Sequence, residues 1–179
     1  VVLLLAMVSA WLWRVVENNP LPDSRLLNHD PDLIMERFAA RQLSDTGQVH
    51  YTLSAQKMIH YPDDDTSHFN EVVFTSLEPD APAITVRSEQ AVRSGREDEV
   101  VFTGNVVVTR EPTQDQPLTV VRTSTLKVFP QRGIGETDQP VIINYGKDTL
   151  TALSMVVNNK TKIAEFTRAK VTYLPPRHP

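Results

Sequence analysis

The chain has 179 residues, enough for one domain of ordinary size, and its 18 Lys and Arg against 22 Asp and Glu leave a net charge of −4. This balance argues against a general nucleic-acid-binding protein, which needs a basic patch or stripe. The chain contains no cysteine, which excludes a disulfide framework, a thiolate zinc site and a cysteine nucleophile.

The first 16 residues, VVLLLAMVSAWLWRVV, are almost entirely apolar. A membrane-spanning helix needs about 20 such residues, and because the sequence starts at Val1 rather than Met, we expect the apolar run to continue upstream. Trp11 and Trp13, followed by Arg14, are typical of a membrane interface. We therefore predict a transmembrane anchor over residues 1–16. A secretory signal peptide and a buried core helix are the alternatives.

A polar linker and a β domain follow the anchor. Residues 17–31 carry three prolines among polar side chains, which is typical of a linker. We predict a β domain over residues 32–174 and a short tail over residues 175–179. No amphipathic helix is predicted in these segments.

Apolar and polar residues alternate through most of the predicted β domain. Val49, Tyr51, Leu53 and Ala55, for example, are separated by polar residues. A period of two predicts half-buried antiparallel strands. The other stripes of shared parity are Ile84 and Val86; Val100, Phe102, Val106 and Val108; Val120, Leu126 and Val128; Val141, Ile143 and Tyr145; and Ala169, Val171 and Tyr173.

A weak internal repeat runs through the same region. Similar blocks begin at Tyr51, Ile84, Leu118 and Leu150, about 33 residues apart. Each block has the pattern of strand, turn and strand. Equal blocks of this kind predict stacking along one axis rather than a closed barrel, with edge strands that a partner can pair with.

No motif in the sequence predicts catalysis or a cofactor. Asp63, Asp64 and Asp65 lie between His60 and His68, but the segment lacks the glycine of a calcium loop and a second group of ligands. We predict an exposed acidic turn there, with no metal site. Serine-hydrolase and phosphate-loop patterns are also missing, so no catalytic residue is predicted.

The inward-facing apolar stripes allow two interpretations. In a closed barrel these side chains form a packed core, whereas in an open sheet they line a slot for an acyl chain. Periodicity alone does not choose between a core and a slot.

Three segments, in this order, resemble a known family. They are LSDTGQVHYTLSAQ at residues 43–56, FTGNVVV at residues 102–108, and TSTLKV at residues 123–128 followed by VIINYG at residues 141–146. Together with the short anchor, they are similar to the LptC family, the bitopic inner-membrane component of bacterial lipopolysaccharide transport. The resemblance implies an open, twisted stack of antiparallel strands, a β-jellyroll shared with the bridge protein LptA.

The same resemblance implies a role without enzymatic activity. The family receives lipopolysaccharide from the inner-membrane ABC transporter, built from LptF, LptG and LptB, and passes it to LptA. The chain is then a single-pass inner-membrane protein of a Gram-negative bacterium, with its β domain in the periplasm and with no cofactor.

Candidate site residues follow from the resemblance and from the inward stripes. Phe38, Phe69 and Tyr173 match positions associated with the lipid groove. Gly47 matches a position associated with assembly on the transporter, and Gly146 one associated with transfer to LptA. For both glycines a turn that requires a positive φ angle is the alternative. The residues predicted to contact lipid are Phe38, Tyr51, Phe69, Phe102, Ile143 and Tyr173.

Two other classes of protein remain as alternatives. One is a membrane-anchored β adaptor that binds only protein, its inner face being a dry core. The other is an enzyme of the periplasm, which would need a cluster of titratable groups on the inner face, and the sequence predicts none.

Overall fold

A computed structural model describes residues 29–44, 47–78, 81–95 and 99–173. Within these ranges the chain forms twelve β-strands and no helix. The strands are β1 Leu33–Leu43, β2 Val49–Tyr61, β3 Thr66–Ser76, β4 Ile84–Ser94, β5 Glu99–Arg110, β6 Thr119–Phe129, β7 Ile134–Thr137, β8 Val141–Tyr145, β9 Asp148–Ala152, β10 Ser154–Asn158, β11 Ile163–Thr167 and β12 Lys170–Thr172.

All strands belong to one antiparallel sheet. Strands β1 to β6 pair with one another in chain order, and beyond β6 the sheet divides into two branches. One end of β6 pairs with β7, which continues to β10 and β11, and the other end pairs with β8, which continues to β9 and β12. Among the described strands, β1, β11 and β12 each pair on one side only. The all-β antiparallel fold predicted from the alternation is therefore confirmed.

The strands of the two branches are the halves of three longer strands, each of which is interrupted in the middle. Residues 138–140 separate β7 from β8, Leu153 alone separates β9 from β10, and two residues separate β11 from β12. The unbroken strands have irregular backbone geometry at the same level of the sheet as these breaks. Arg37, Glu71 and Asn105 there have positive φ angles of 48°, 50° and 45°, and the β5–β6 register shifts between Thr103 and Val106. A bulge such as that of β5 bends a strand and increases its twist.

This line of backbone irregularities and breaks, which we call the crease, changes the parity of the inward residues in β2, β3, β4 and β6, whereas β5 keeps its parity across it. In β2, Ala55 is buried on one side of the crease and Met58 packs on the core from the other side, although the two differ by three positions. Both halves of a strand therefore turn their apolar side chains to the same face. The sequence pattern placed Val120 in one stripe with Leu126. This is wrong, because in the first half of β6 it is Val121 that packs on the core.

The sequence repeat matches the arrangement of the strands, because its first three blocks begin at the same end of the sheet. Tyr51, Ile84 and Thr119 lie at one level of the sheet, joined through register partners on the strands between them. Strands β2, β4 and β6 therefore start at the same end. The fourth block also follows the pattern of strand, turn and strand, in broken form: after the turn at residues 159–162, β11 pairs with β10 and β12 pairs with β9.

Some predictions fall outside the described residues. These are the anchor at residues 1–16 with Trp11 and Trp13, nearly all of the linker at 17–31, and the tail at 175–179. In the part of the chain that the structure describes, no helix is long and apolar enough to cross a membrane.

Candidate functional site: the inner face of the sheet

The inner face has a floor of small side chains along the crease. Register pairs there join Val72 to Ser88, Val106 to Thr123 and Val141 to Ala152. All six residues are buried, and Val72, Val106 and Val141 are at most 2% exposed. Small side chains fit this line because the two halves of the sheet meet there. The floor consists of Ala55, Val72, Ser88, Val106, Thr123, Val141 and Ala152.

Larger apolar side chains form a wall on each side of the floor. The first wall crosses the sheet in unbroken register from β2 to β9, and its register continues to Val171 of β12. The second wall crosses from β2 to β6, and Met155 and Phe166 extend it on β10 and β11. The first wall is Leu53, Phe74, Val86, Val108, Val121, Ile143 and Leu150. The second wall is Met58, Phe69, Ala91, Phe102 and Leu126.

Most of the residues predicted to contact lipid lie in or beside these walls. Phe69 and Phe102 belong to the second wall and are 6% and 4% exposed, and the partly buried Ile143 belongs to the first. Phe38 on the edge strand β1 is partly buried, with its ring centroid 6.3 Å from that of Phe69. The fold thus brings Phe38 and Phe69, 31 positions apart in the sequence, into ring contact.

Tyr51 and Tyr173 differ from this group. Tyr51 is half-buried at the end of the first wall, where its ring centroid lies 5.6 Å from that of Phe74 and its hydroxyl donates a hydrogen bond to Gln42 Oε1. Tyr173 follows β12 and is 73% exposed. The structure does not bring Tyr173 together with the other predicted residues, and Val171 occupies the register position next to the first wall.

Hydroxyl groups interrupt the apolar floor, and sequence reasoning did not single them out. Ser88 Oγ donates to the carbonyl of Gln90 at 2.7 Å, and the hydroxyls of Thr123 and Thr137 lie 3.3 Å apart. Buried polar groups need such partners. No local pattern marks these hydroxyls, because Ser and Thr also occupy exposed positions of the same strands, as Ser124 does in β6.

The interior is closed in this conformation. Because the floor and much of the second wall are less than one-tenth exposed, a bound chain reaches them only if the two halves of the sheet move apart. Two pockets of about 360 and 240 Å³ contain the crease residues Arg37 and Glu71, respectively, with mostly polar neighbours. Their polar lining does not suit an acyl chain.

The two predicted partner-binding glycines both occupy turns at the same end of the sheet. Gly47, between β1 and β2, has a φ angle of +79°, is exposed, and has open space around it. Gly146, between β8 and β9, has a φ angle of +59° and donates a backbone hydrogen bond to Leu118 at 3.0 Å. Positive φ angles favour glycine, so the turn geometry by itself accounts for both residues.

The acidic turn between β2 and β3 lies at the opposite end. Asp65 is exposed as predicted, whereas Asp63 and Asp64 are half-buried, so the prediction of an exposed turn is wrong for these two. Asp63 Oδ2 lies 3.0 Å from His29 Nδ1, and Asp64 Oδ1 accepts hydrogen bonds from the backbone and hydroxyl of Thr66. Side-chain ligand atoms of His29, Asp63 and Asp64 lie within 4.8 Å of one another. Since the protein's own donors already engage both carboxylates, we do not assign a metal ion here.

Comparisons with known proteins agree with this geometry. A family model described as "Lipopolysaccharide-assembly, LptC-related" matches residues 1–173. Among solved structures, the fold is similar to LptH, the LptA-homologous periplasmic component of the lipopolysaccharide transport device from Pseudomonas aeruginosa. The TM-score is 0.52 at 11% identity, covering 80% of this chain and 94% of that chain. The comparison with curated protein sequences found no match.

Proposed function

This chain belongs to the LptC family of lipopolysaccharide-assembly proteins, and we propose that its inner face carries lipopolysaccharide from the inner-membrane ABC transporter to the bridge protein LptA. The family match supports a role in lipopolysaccharide transport, and the LptA-like fold is consistent with it. The proposal depends on one observation: apolar walls cross the sheet strand by strand toward both branches.

The walls suit acyl chains for a simple physical reason. Acyl chains are costly to expose to water, and each CH₂ group buried between apolar side chains contributes about 0.8 kcal/mol. The rings of Phe38, Phe69 and Phe74 and the aliphatic residues of both walls supply that surface. The phosphorylated sugars can remain in solvent at the open margin of the sheet. Binding must stay reversible, because the lipid moves on.

The crease supplies a route for opening. The inner cluster is packed, so lipid has to displace contacts between the two walls. The crease is where the strands depart from regular geometry, through residues with positive φ angles and through breaks. A change in the bend there would separate the walls while the pairing within each half persists.

The single-sided strands provide the partner surfaces. An edge strand presents unpaired backbone groups to an incoming strand, and pairing with one extends the sheet. We assign the β1 edge, next to the Gly47 turn, to the transporter subunits LptF and LptG, which act with LptB. The edge of the two branches, next to the Gly146 turn, is assigned to LptA. Residues 1–16 would then anchor the chain in the inner membrane as a single span, with the β domain in the periplasm.

A second function has one observation in its favour. Phe69 and Phe102 are as buried as residues of an ordinary dry core. A membrane-anchored adaptor that binds only proteins through its edges would have such an interior. The adaptor and the lipid carrier differ in whether lipid ever contacts the walls.

Site-specific photo-crosslinking in cells that make lipopolysaccharide tests the proposal. A photoreactive residue at Phe38 or Phe74 faces inward, whereas one at Ala39 or Thr75 faces outward, because neighbouring side chains of a strand alternate. We expect lipopolysaccharide adducts at Phe38 and Phe74 and none at the two controls. A folded, membrane-bound protein without adducts at either inward position would favour the adaptor.

A further inference from the structure

The segment at residues 29–32, just before β1, is fastened to the far end of β2 by two histidine–carboxylate pairs. In the first pair, Asp32 Oδ1 lies 2.7 Å from His60 Nδ1, and the Asp32 backbone N–H donates to the His60 carbonyl at 3.2 Å. Asp65 approaches the other ring nitrogen of His60, Nε2, at 3.5 Å. His60 therefore lies between two carboxylates.

In the second pair the N-terminal segment supplies the histidine instead of the carboxylate. His29 now comes from the N-terminal segment, and its Nδ1 lies 3.0 Å from Asp63 Oδ2 in the β2–β3 turn. The His29 ring also stacks on Tyr61, with centroids 3.9 Å apart and planes 7° apart. Tyr61 in turn contacts His68 edge-on, with the two ring centroids at 5.3 Å.

The two pairs hold the strand end from opposite sides. His60 and Tyr61 are consecutive residues of β2, and consecutive strand side chains point to opposite faces. Asp32 therefore binds on the inner face and His29 on the outer face. The segment between them leads into β1, which pairs only with β2. These contacts add to the backbone pairing of β1 with β2 at the start of this edge strand.

The charges around both histidines favour their protonated forms. The hydrogen bond to Asp32 raises the pKa of His60 above its ordinary value, and Asp65 adds to this effect. The hydrogen bond to Asp63 raises the pKa of His29, with smaller contributions from Asp64 and Asp30. On the inner face, β3 offers His60 only the uncharged Ser67, and the cation Arg93 of β4 is the register partner of Ser67. The two carboxylates thus contact His60 at 2.7 and 3.5 Å, whereas Arg93 belongs to a strand that does not pair with β2.

We propose that the His60–Asp32–Asp65 and His29–Asp63 groups form a protonation-dependent clasp that fixes the start of the edge strand β1 at mildly acidic pH and loosens it at alkaline pH. A protonated imidazole bonds to a carboxylate more strongly than a neutral one. The raised histidine pKa values mean that the contribution is complete below about pH 6.5 and is lost as the pH rises through the folded-state values. The clasp is independent of whether the inner face carries lipid.

Hydrogen exchange of the full-length protein in detergent, measured by mass spectrometry, tests the clasp. Labelling times are scaled for the intrinsic exchange rate at about pH 5.5 and about pH 8. We expect the protection of residues 33–36 to fall several-fold between these conditions, while residues 39–43 of the same strand change little. In His60→Gln the protection of residues 33–36 should be low at both pH values. His50→Gln is the matched control, since His50 lies at the other end of β2, 3.5 Å from Glu78.

A second measurement separates protonation from a purely structural effect. Asp32→Asn keeps the size of the side chain but removes its charge, so the pKa of His60 measured from its NMR titration should fall toward the ordinary value. Wild-type protection that does not change with pH would overturn the proposal. So would a His60→Gln protein with the wild-type pH dependence, or an Asp32→Asn protein with an unchanged His60 pKa.

Discussion

Glu89 lies directly over Gly104 at the crease, where β4 and β5 pass each other out of regular register. A Cβ atom added to Gly104 would lie 2.5 Å from Glu89 Oε2 and 2.9 Å from Glu89 Cβ. The next residue, Asn105, donates a side-chain hydrogen bond to Glu89 Oε1. Gly104 itself has a φ angle of +76°. Backbone conformation and close approach therefore both require glycine at this position.

Replacing this glycine should destabilise the fold. Gly104→Ala combines an unfavourable positive φ angle with a clash near the Glu89 backbone, and we expect a loss of about 1–3 kcal/mol in the free energy of unfolding. Gly47→Ala, with a similar φ angle but open space, should lose less. Gly135→Ala, with neither constraint, should lose the least. Urea unfolding of the full chain in detergent measures all three, and equal losses for Gly104→Ala and Gly47→Ala would show that Glu89 can move away freely.

Neighbouring residues of β10 test which side of the broken strand faces inward. Met155 is 5% exposed and packs in the core, whereas Val156 is 40% exposed. Met155→Ala should cost about 2–5 kcal/mol, because it removes buried contacts and leaves a cavity. Val156→Ala should change stability by about 0.5 kcal/mol or less. The reverse order in urea unfolding would mean that the second wall does not extend to β10.

The buried hydroxyls of Thr123 and Thr137 should act as a pair. Replacing either one with Val leaves the other with fewer partners, so each single variant should lose about 1–3 kcal/mol. The double variant should lose less than the sum of the two losses. A double-mutant cycle measured by urea unfolding gives the interaction directly, and losses that add within about 0.5 kcal/mol would contradict the pairing.

The charge of Asp63 should control the titration of His29. Asp63→Asn should lower the pKa of His29 toward its ordinary value, because the hydrogen bond to that carboxylate is the main cause of its rise. The pKa of Asp63 is itself lowered by His29, so the pair is fully charged only between these two values. The wild-type protein should therefore lose this contribution as the pH rises through the folded-state pKa of His29. NMR titration of the histidine ring protons, with His50 as the internal control, measures the change, and an unchanged His29 pKa would exclude the contact in solution.

Sequence reasoning located much of the inner face, for identifiable reasons. The alternation predicts that Phe102 and Ile143 face inward, the family resemblance singles out Phe69, and all three lie in the walls. Strict alternation carries this information wherever a strand is regular. It failed at Val120, because a parity change lies between that residue and Leu126, and no local pattern records such a change. The same kind of alternation placed Tyr173 in a stripe with Val171, but Tyr173 lies beyond the last strand and is exposed.

The amino-acid sequence by itself determined the all-β class, the stacking of repeated blocks and the resemblance that the family comparison confirms. These follow from local alternation, turn residues and ordered segments, all of which are read along the chain. Only the tertiary structure decided the crease, the division of the sheet beyond β6 and the clasp between His29–Asp32 and the end of β2. Each of these depends on register between strands or on contacts about 30 positions apart, and such contacts have no local signature.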